Sequence, residues 1–367
     1  MILKIVNIVK KVIIIAKRID IRWVATPLII LASAFVTNAI IMLLCQYNPL
    51  EAYQAAVSGA FGNSRKFGET LVKSTPFLMT GLSIAMAFRC GIWNIGAEGQ
   101  FLMGALAATW FGTKLAPFFP ETPWVAVPVC LGIAILVGGI WGLIPAVLKV
   151  ARGVNEVIST IMLNYVAIHL VNMMIDGGPL QEVSQRGPQS DRIAEWVFLP
   201  RLFPPHRIHL GIIIAVLLAI ILTFILFRTA FGYQLRAVGE GAAAAEAAGI
   251  SIMHNTLRVF FISGALAGLG GAIELTALTR RLYLNFSPGY GYTAIAVALL
   301  AKLNPLVTVA AALLFGALST GSYSMQRTVG ISDKVTFVMQ ATILLFVIGY
   351  SSVQLFRKHT PAHASTE

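Results

Sequence analysis

Residues 91 to 100, "GIWNIGAEGQ", lie between two strongly apolar stretches and carry Asn94, Glu98 and Gln100 within about two helical turns. Asn94 and Glu98 are four apart and share one helix face, whereas Gln100 points elsewhere. A carboxylate at membrane depth is strongly disfavoured unless it is paired, hydrated or turned to a cavity, so Glu98 does not face lipid. Two compatible roles remain open for it. It accepts hydrogen bonds from backbone N–H groups freed at Gly91, Gly96 and Gly99, or it lines a path for a hydrophilic solute. Asn164, Asn172 and Gln340 are weaker candidates, because polar side chains also serve as hydrogen-bond partners between helices. Glu274 lies seven residues before Arg281 on the same face, and an ordinary ion pair near the outer interface is expected there in preference to a proton relay.

The elements that position these groups are those of a membrane. The 367 residues are 57% hydrophobic and 11% charged, with a mean hydropathy of +0.80, whereas soluble domains run at roughly 45–50% and about 25%. An all-α polytopic fold is expected. A net charge of +12 suggests nucleic acid when it sits on a soluble domain. Here the basic residues lie mostly at the ends of apolar runs and in the N-terminal segment, so membrane topology accounts for them and no nucleic-acid partner is expected. Cys45, Cys90 and Cys130 are odd in number and form no CxxC, which points to small core residues and to neither a disulfide framework nor a zinc site. Walker A, HExxH and serine-elbow patterns are absent. The six histidines are scattered and the acidic residues sparse, which argues against a membrane enzyme. Energy is therefore supplied by another subunit or by a gradient.

Residues 1–22 alternate apolar side chains with Lys4, Lys10, Lys11, Lys17 and Arg18, as a basic amphipathic helix on an anionic cytoplasmic leaflet does; a signal peptide lacks its cleavage site here. A span needs about 20 apolar residues. On that ruler spans fall near 23–45, 76–90, 92–112, 123–149 and 155–175, then near 208–227, 258–279, 285–302, 305–325 and 335–356. Roughly ten elements result. The second and eighth are short and interrupted by glycine, as re-entrant or broken helices are. An even count and the basic ends place both termini, including the 357–367 tail, in the cytoplasm, although Arg280 and Arg281 on the outer side run against the rule. Loops 46–75 and 176–207 are then external.

Three pairs of segments repeat in order: "FLMTGLSIAMAF" at 77 with "FISGALAGLGGA" at 261, "GQFLMGALAA" at 99 with "GYTAIAVALLA" at 291, and "GVNEVISTIML" at 153 with "GISDKVTFVMQ" at 330. They define two repeated halves, about 76–175 and 258–356, within a permease domain spanning 23–356. Gly138 with Gly142, and Gly264 with Gly268, are pairs that let helix backbones approach closely. The inner loop 228–255 contains "GEGAAAAEAAG", an alanine-rich run of high helix propensity opened by Gly239 to Gly241 and closed by Gly249. Its methyl-rich face suits a shallow groove on a cytoplasmic partner, or covers the inner end of the bundle.

The stretches "FRCGIWNIGAEGQFLMGALAA", "GVNEVISTIMLNY", "LRAVGEGAAAAEAAGIS" and "YTAIAVALLAKLNP" together resemble the permease subunits of ABC importers in the branched-chain amino acid and ribose-type permease superfamily. The nearest likeness is to the branch for nucleosides or simple sugars served by basic-membrane-protein-type lipoproteins, over about residues 76–355. The resemblance implies a coupling helix at Arg236, Gly239, Glu240, Ala244, Gly249 and Ile250 that docks on an ATP-hydrolysing subunit. Gly241 stands where that family commonly has Asn. It also implies a second permease subunit, identical or not, an external substrate-binding protein, and a place in a bacterial cytoplasmic membrane. ATP would be used by the partner, with no cofactor in this chain. Asn94, Glu98 and Gln100, with Tyr290 and Tyr292 at the equivalent place of the second half, are then expected beside the translocation path. The alternative is a gradient-driven secondary transporter with Glu98 or Glu274 as its ion site.

Overall fold

The computed structural model describes residues 21–359 other than 119–120, 185–186 and 333. The amphipathic segment expected over 1–22 lies almost wholly outside the described residues, as does most of the 357–367 tail. In chain order the α-helices are α1 (Ile21–Leu44), α2 (Pro49–Phe61), α3 (Ser64–Arg89), α4 (Ala97–Trp110), α5 (Pro123–Arg152), α6 (Glu156–Ile175), α7 (Leu210–Arg228), α8 (Ala230–Glu240), α9 (Ala242–Ala247), α10 (Ile252–Glu274), α11 (Tyr290–Leu300), α12 (Pro305–Val329) and α13 (Lys334–His359). Single π-helical turns, Phe111–Leu115 and Leu275–Thr279, extend α4 and α10. Among the described residues six helices are long and apolar enough to cross a membrane: α3, α5, α6, α7, α10 with its π turn, and α12. The chain is a polytopic, all-helical membrane protein.

Two compact units divide the chain. In one, Met1–Leu50 and Lys334–Glu367, α1 and α13 pack on each other. The other, Glu51–Asp333, holds the remaining helices around α3 and α10. The most apolar stretches of α3 and α10 are 89% and 83% buried, whereas those of α5, α6 and α7 are 33% or less, so the first two form the core and the others offer a face to lipid.

α3 differs from expectation. It is a full span that begins twelve residues before the expected start at 76, with Pro76 inside it, and the expected loop 46–75 holds α2 as well. Its polar first half tolerates burial because its hydroxyls bond to nearby main-chain oxygens: Thr70 to Ala60, Ser74 to Thr70 (2.6 Å) and Thr75 to Leu71. The glycine pairs behave as expected. A Cβ at Gly138 would meet Gly268 Cα at 2.8 Å, and one at Gly142 would meet Gly264 Cα at 3.3 Å, so α5 and α10 touch backbone to backbone. Of the cysteines, Cys90 and Cys130 are buried, but Cys45 is exposed and is no core residue.

The larger unit has two ends. At one, the 176–209 segment folds over the helix termini, with Ala194 N–H donating to Gly112 O (2.9 Å), Leu199 N–H to Thr276 O (3.2 Å) and Ser190 N–H to Leu282 O (2.7 Å). At the other lie α8, α9, the end of α3 and the Lys302–Asn304 turn after α11.

Candidate functional site

α3 closes where Gly91, at φ +72, lets Ile92 N–H reach back to Ala87 O (3.1 Å) and Gly91 N–H to Phe88 O (3.0 Å). The chain then runs irregularly into the protein and starts α4 at Ala97, fully buried. From the opposite end, residues 280–289 return inward and start α11 at Tyr290, 4% exposed, after Gly289 at φ +93. At about 1.5 Å per residue, the 11 residues of α11 reach only about 16 Å and do not cross a hydrocarbon core of about 30 Å. α4 also starts inside the unit and runs outward from there through its π turn and the 3-10 turn Ala116–Phe118. Their N-termini meet inside the unit, where a Cβ on Gly291 would overlap the Glu98 backbone nitrogen.

Glu98 joins the two ends. Its Oε2 accepts the Gly291 N–H at 2.7 Å, while the Gly289 and Tyr290 N–H groups donate to Ser287 Oγ (3.3 and 3.2 Å). The expected N–H donors of its own break go elsewhere: Gly96 N–H to Asn94 Oδ1 (2.9 Å), Gly99 N–H to Asn164 Oδ1 (2.8 Å), Gly91 N–H to Phe88 O. Glu98 thus caps α11 and not its own break, with the positive ends of two helix dipoles facing one carboxylate. Asn94 and Gln100 exchange hydrogen bonds (Nδ2 to Oε1, 3.1 Å; Nε2 to Oδ1, 3.3 Å), and Asn94 Nδ2 also donates to Ser263 Oγ (2.8 Å), which donates to Ser83 O (2.9 Å). Asn164 links the half-helices a second time, donating to Ile95 O (2.9 Å) and to Tyr292 Oη (3.2 Å).

Of the five residues expected beside a path, Asn94, Glu98, Gln100 and Tyr290 are buried and only Tyr292, 36% exposed, reaches the surface of the chain. Asn164, ranked low from sequence, and Ser83, Ser263 and Ser287, not singled out at all, complete the network. A hydroxyl in an apolar run carries no sequence signal of its partner. Glu274 also departs from expectation. Arg281 pairs with Glu182 at 2.6 Å and not with Glu274, because the π turn 275–279 shifts the register and Arg280, at φ +61, ends the helix before the seven-residue spacing is completed.

The alanine-rich loop folds as two helices. Arg236 and Gly239 lie within α8, Glu240 ends it, Gly241 is the extended joint, and Ala244 lies in α9, followed by Gly249 at φ +79 and then Ile250. Leu235, Val238 and Ala245 are buried, while Tyr233, Gly239, Glu240, Ala244 and Gly249 are exposed, so the segment covers the bundle end and keeps a free face. A Cβ on Gly239 would overlap the Arg89 carbonyl oxygen, and Gly239 Cα lies close under Gly91. The Phe227 ring takes the Arg236 guanidinium at 5.5 Å and that of Arg89 at 5.8 Å. Arg89 Nε in turn donates to Leu303 O (3.2 Å), closing the turn after α11. The base of α8 therefore touches the α3–α4 bend and, through Arg89, the end of α11.

Buried half-helices joined at a polar centre, inside a bundle of crossing helices, define a membrane transport protein. The chain matches the family described as "Branched-chain amino acid transport system / permease component" over residues 67–348, which takes in both half-helices and α8–α9, and it belongs to that family. It is a permease component and not an enzyme. The guanosine ABC transporter permease protein NupP of Bacillus subtilis is 38% identical over 323 residues, covering 88% of this chain and 92% of its own length. The nucleoside ABC transporter permease protein NupB of Lactococcus lactis is 33% identical, covering 89% and 91%. The glucose ABC transporter permease protein TsgB13 of Haloferax volcanii is 31% identical, covering 89% and 88%. No solved structure matches the chain.

Proposed function

We propose that the chain is the translocation subunit of an ABC importer for a nucleoside, with a simple sugar as the next solute class. It pairs with a second permease subunit, identical or not, and works with separate ATPase subunits and an external substrate-binding protein in a bacterial cytoplasmic membrane. The family match across the half-helix junction and α8–α9 together carries this reading, and relatives named for guanosine and nucleosides favour the solute.

α4 and α11 run in opposite senses from one meeting point, as equivalent helices of two inverted repeats do. This supports the halves at 76–175 and 258–356 and an arrangement of about ten crossing or re-entrant elements. The end bearing Lys149, Arg152, Arg228, Arg236, Arg258 and Lys302 is cytoplasmic, with both termini on that side. ATP-driven closure of the partner subunits presses on the free face of α8–α9. Gly239 transmits the movement to the α3–α4 bend, and Arg89 transmits it to the α11 turn, so both half-helices respond to one docking event. Asn94, Glu98, Gln100, Tyr290 and Tyr292 border the path that opens, four of them by holding its walls and Tyr292 by facing it.

The test is uptake of labelled guanosine, adenosine and glucose in cells carrying this chain and its partner subunits, with the ATPase intact or lacking its catalytic glutamate. Uptake lost with the inactive ATPase supports the importer. Uptake that persists and follows a proton or sodium gradient supports the alternative, a secondary transporter, which Glu274, buried with no ion pair among the described residues, favours. Gly239→Val, which drives a side chain into the Arg89 carbonyl, is expected to leave ATP hydrolysis running while uptake falls at least about tenfold, a barrier change of about 1.4 kcal/mol.

A further inference from the structure

Three helices of the larger unit, α5, α6 and α7, leave most of their apolar length uncovered by the rest of the chain. From Leu136 to Leu148 the exposed residues of α5 are Leu, Ile and Val, and from Ile213 to Phe227 those of α7 are Ile, Leu and Phe, as contact with lipid requires. α6 differs. Its exposed face carries Tyr165, 53% exposed, and His169. The two are four residues apart and stand one above the other. At about 1.5 Å per residue they lie about 14 Å and about 20 Å from the Glu156 end of a helix about 30 Å long, within the hydrocarbon layer. An imidazole at that depth meets water or a polar partner and not lipid. Among the described residues nothing bonds to that of His169.

The polar junction lies alongside. Asn164, next to Tyr165 in α6, accepts the Gly99 N–H (2.8 Å) and donates to Ile95 O (2.9 Å) and to Tyr292 Oη (3.2 Å). α6 is therefore tied to both half-helices at the level of Tyr165, and Tyr292 brings a second phenol to the surface of the chain there. Between Glu156, paired with Lys149 at 2.7 Å, and Asp176, α6 has no Asp, Glu, Lys or Arg, and α11 has none. Phenols and an imidazole offer ring faces and hydrogen bonds, and a wall without carboxylate, ammonium or guanidinium groups suits an uncharged polar solute.

We infer that the α6 face bearing Tyr165 and His169, with Tyr292 of α11, is a hydrated wall of the solute path and takes an uncharged polar solute through hydrogen bonds and ring contact. This rests on the reading of the chain as the translocation subunit of an importer. The wall is open on a single chain, so the second permease subunit closes the path from the far side.

The experiment uses the complete transporter in proteoliposomes. The exposed native thiol is removed by C45S, and the buried Cys90 and Cys130 are kept. H169C and Y165C are compared with L217C on α7, which at 52% exposure matches Tyr165. The measurement is the rate of reaction with a charged methanethiosulfonate present on both sides of the membrane, followed by uptake of labelled guanosine. H169C and Y165C are expected to react at least about tenfold faster than L217C, because the reacting thiolate forms in water and not in hydrocarbon. The attached group is expected to cut uptake by a similar factor in these two variants and not in L217C. A purely structural tyrosine or histidine facing lipid does neither. Reaction as slow as that of L217C means that lipid or a dry subunit contact covers the face, and overturns the inference while ATP-dependent uptake leaves the importer reading standing. Fast reaction with uptake unchanged marks a wet crevice off the path and overturns it too. Fast reaction that blocks uptake driven by a proton or sodium gradient, with no need for ATP, keeps the wall and overturns the importer reading. If H169C does not assemble, Y165C on the same face carries the test alone.

Discussion

Glu98 and Glu274 are buried to almost the same degree, 2% and 4% exposed, yet they have opposite surroundings. Glu98 faces the amide ends of two helices, and the Gly291 N–H reaches it at 2.7 Å. Glu274 sits within α10 one residue before a π turn, where its own helix offers no free N–H, and no described neighbour bonds to it. Burial alone therefore does not say how an acid is accommodated. What distinguishes the two is whether the protein supplies the donors: a backbone N–H of the fold bonds to Glu98, and no described neighbour bonds to the Glu274 carboxylate.

The strongest way to break this comparison is to force the junction apart. Gly291→Val places side-chain atoms into the Glu98 backbone, a contact no rotamer relieves. No folded, monodisperse protein is expected on purification; a normal yield means that the half-helices do not meet as described. The next effect separates the two acids by sign. Glu98→Ala orphans the buried Gly291 N–H, at about 1–3 kcal/mol, and a drop of about that size is expected, read as a fall in unfolding temperature in detergent. Glu274→Ala removes an acid to which no described neighbour bonds and is expected to leave the unfolding temperature unchanged or raised. Equal destabilisation by both substitutions collapses the distinction.

Much of the frame is legible in sequence because it follows from apolar length and small-residue spacing: the crossing helices, the Gly138–Gly142 and Gly264–Gly268 contact, and the short helix near 285–302. The companion half-helix was expected one element too early. The segment "SRKFGETLVKST" has loop-like composition, and only the structure reveals that its hydroxyls are satisfied locally. Asn94, Glu98 and Gln100 stand out as polar groups among apolar ones. Their partners do not: Gly291 lies 193 residues from Glu98, and Ser263 lies 169 from Asn94. The Glu274–Arg281 pairing failed for a different reason. A seven-residue spacing assumes an unbroken α-helix, and a single π turn voids it.

The smallest effect concerns pH and a third buried polar group, His209. His209 caps α7, its Nδ1 accepting the Gly211 N–H at 3.2 Å, and it is 1% exposed. Burial, aided by the positive charge of Arg207, pushes its pKa down to about 4. In the unfolded chain the imidazole titrates near 6.5. Above that value neither state is charged and the contribution to stability is complete. Between about 6.5 and about 4 the unfolded state binds a proton that the folded state refuses, so stability falls as pH falls, by at most about 3 kcal/mol across the window. His209→Asn keeps a capping side chain and removes the titration. The unfolding temperature of the variant is expected to vary less than that of wild type between pH 7.5 and 4.5. A transport rate that still changes with pH in His209→Asn then reflects groups other than the cap of α7, whereas identical pH profiles of unfolding temperature for the two proteins mean that the buried imidazole is not held neutral by its surroundings.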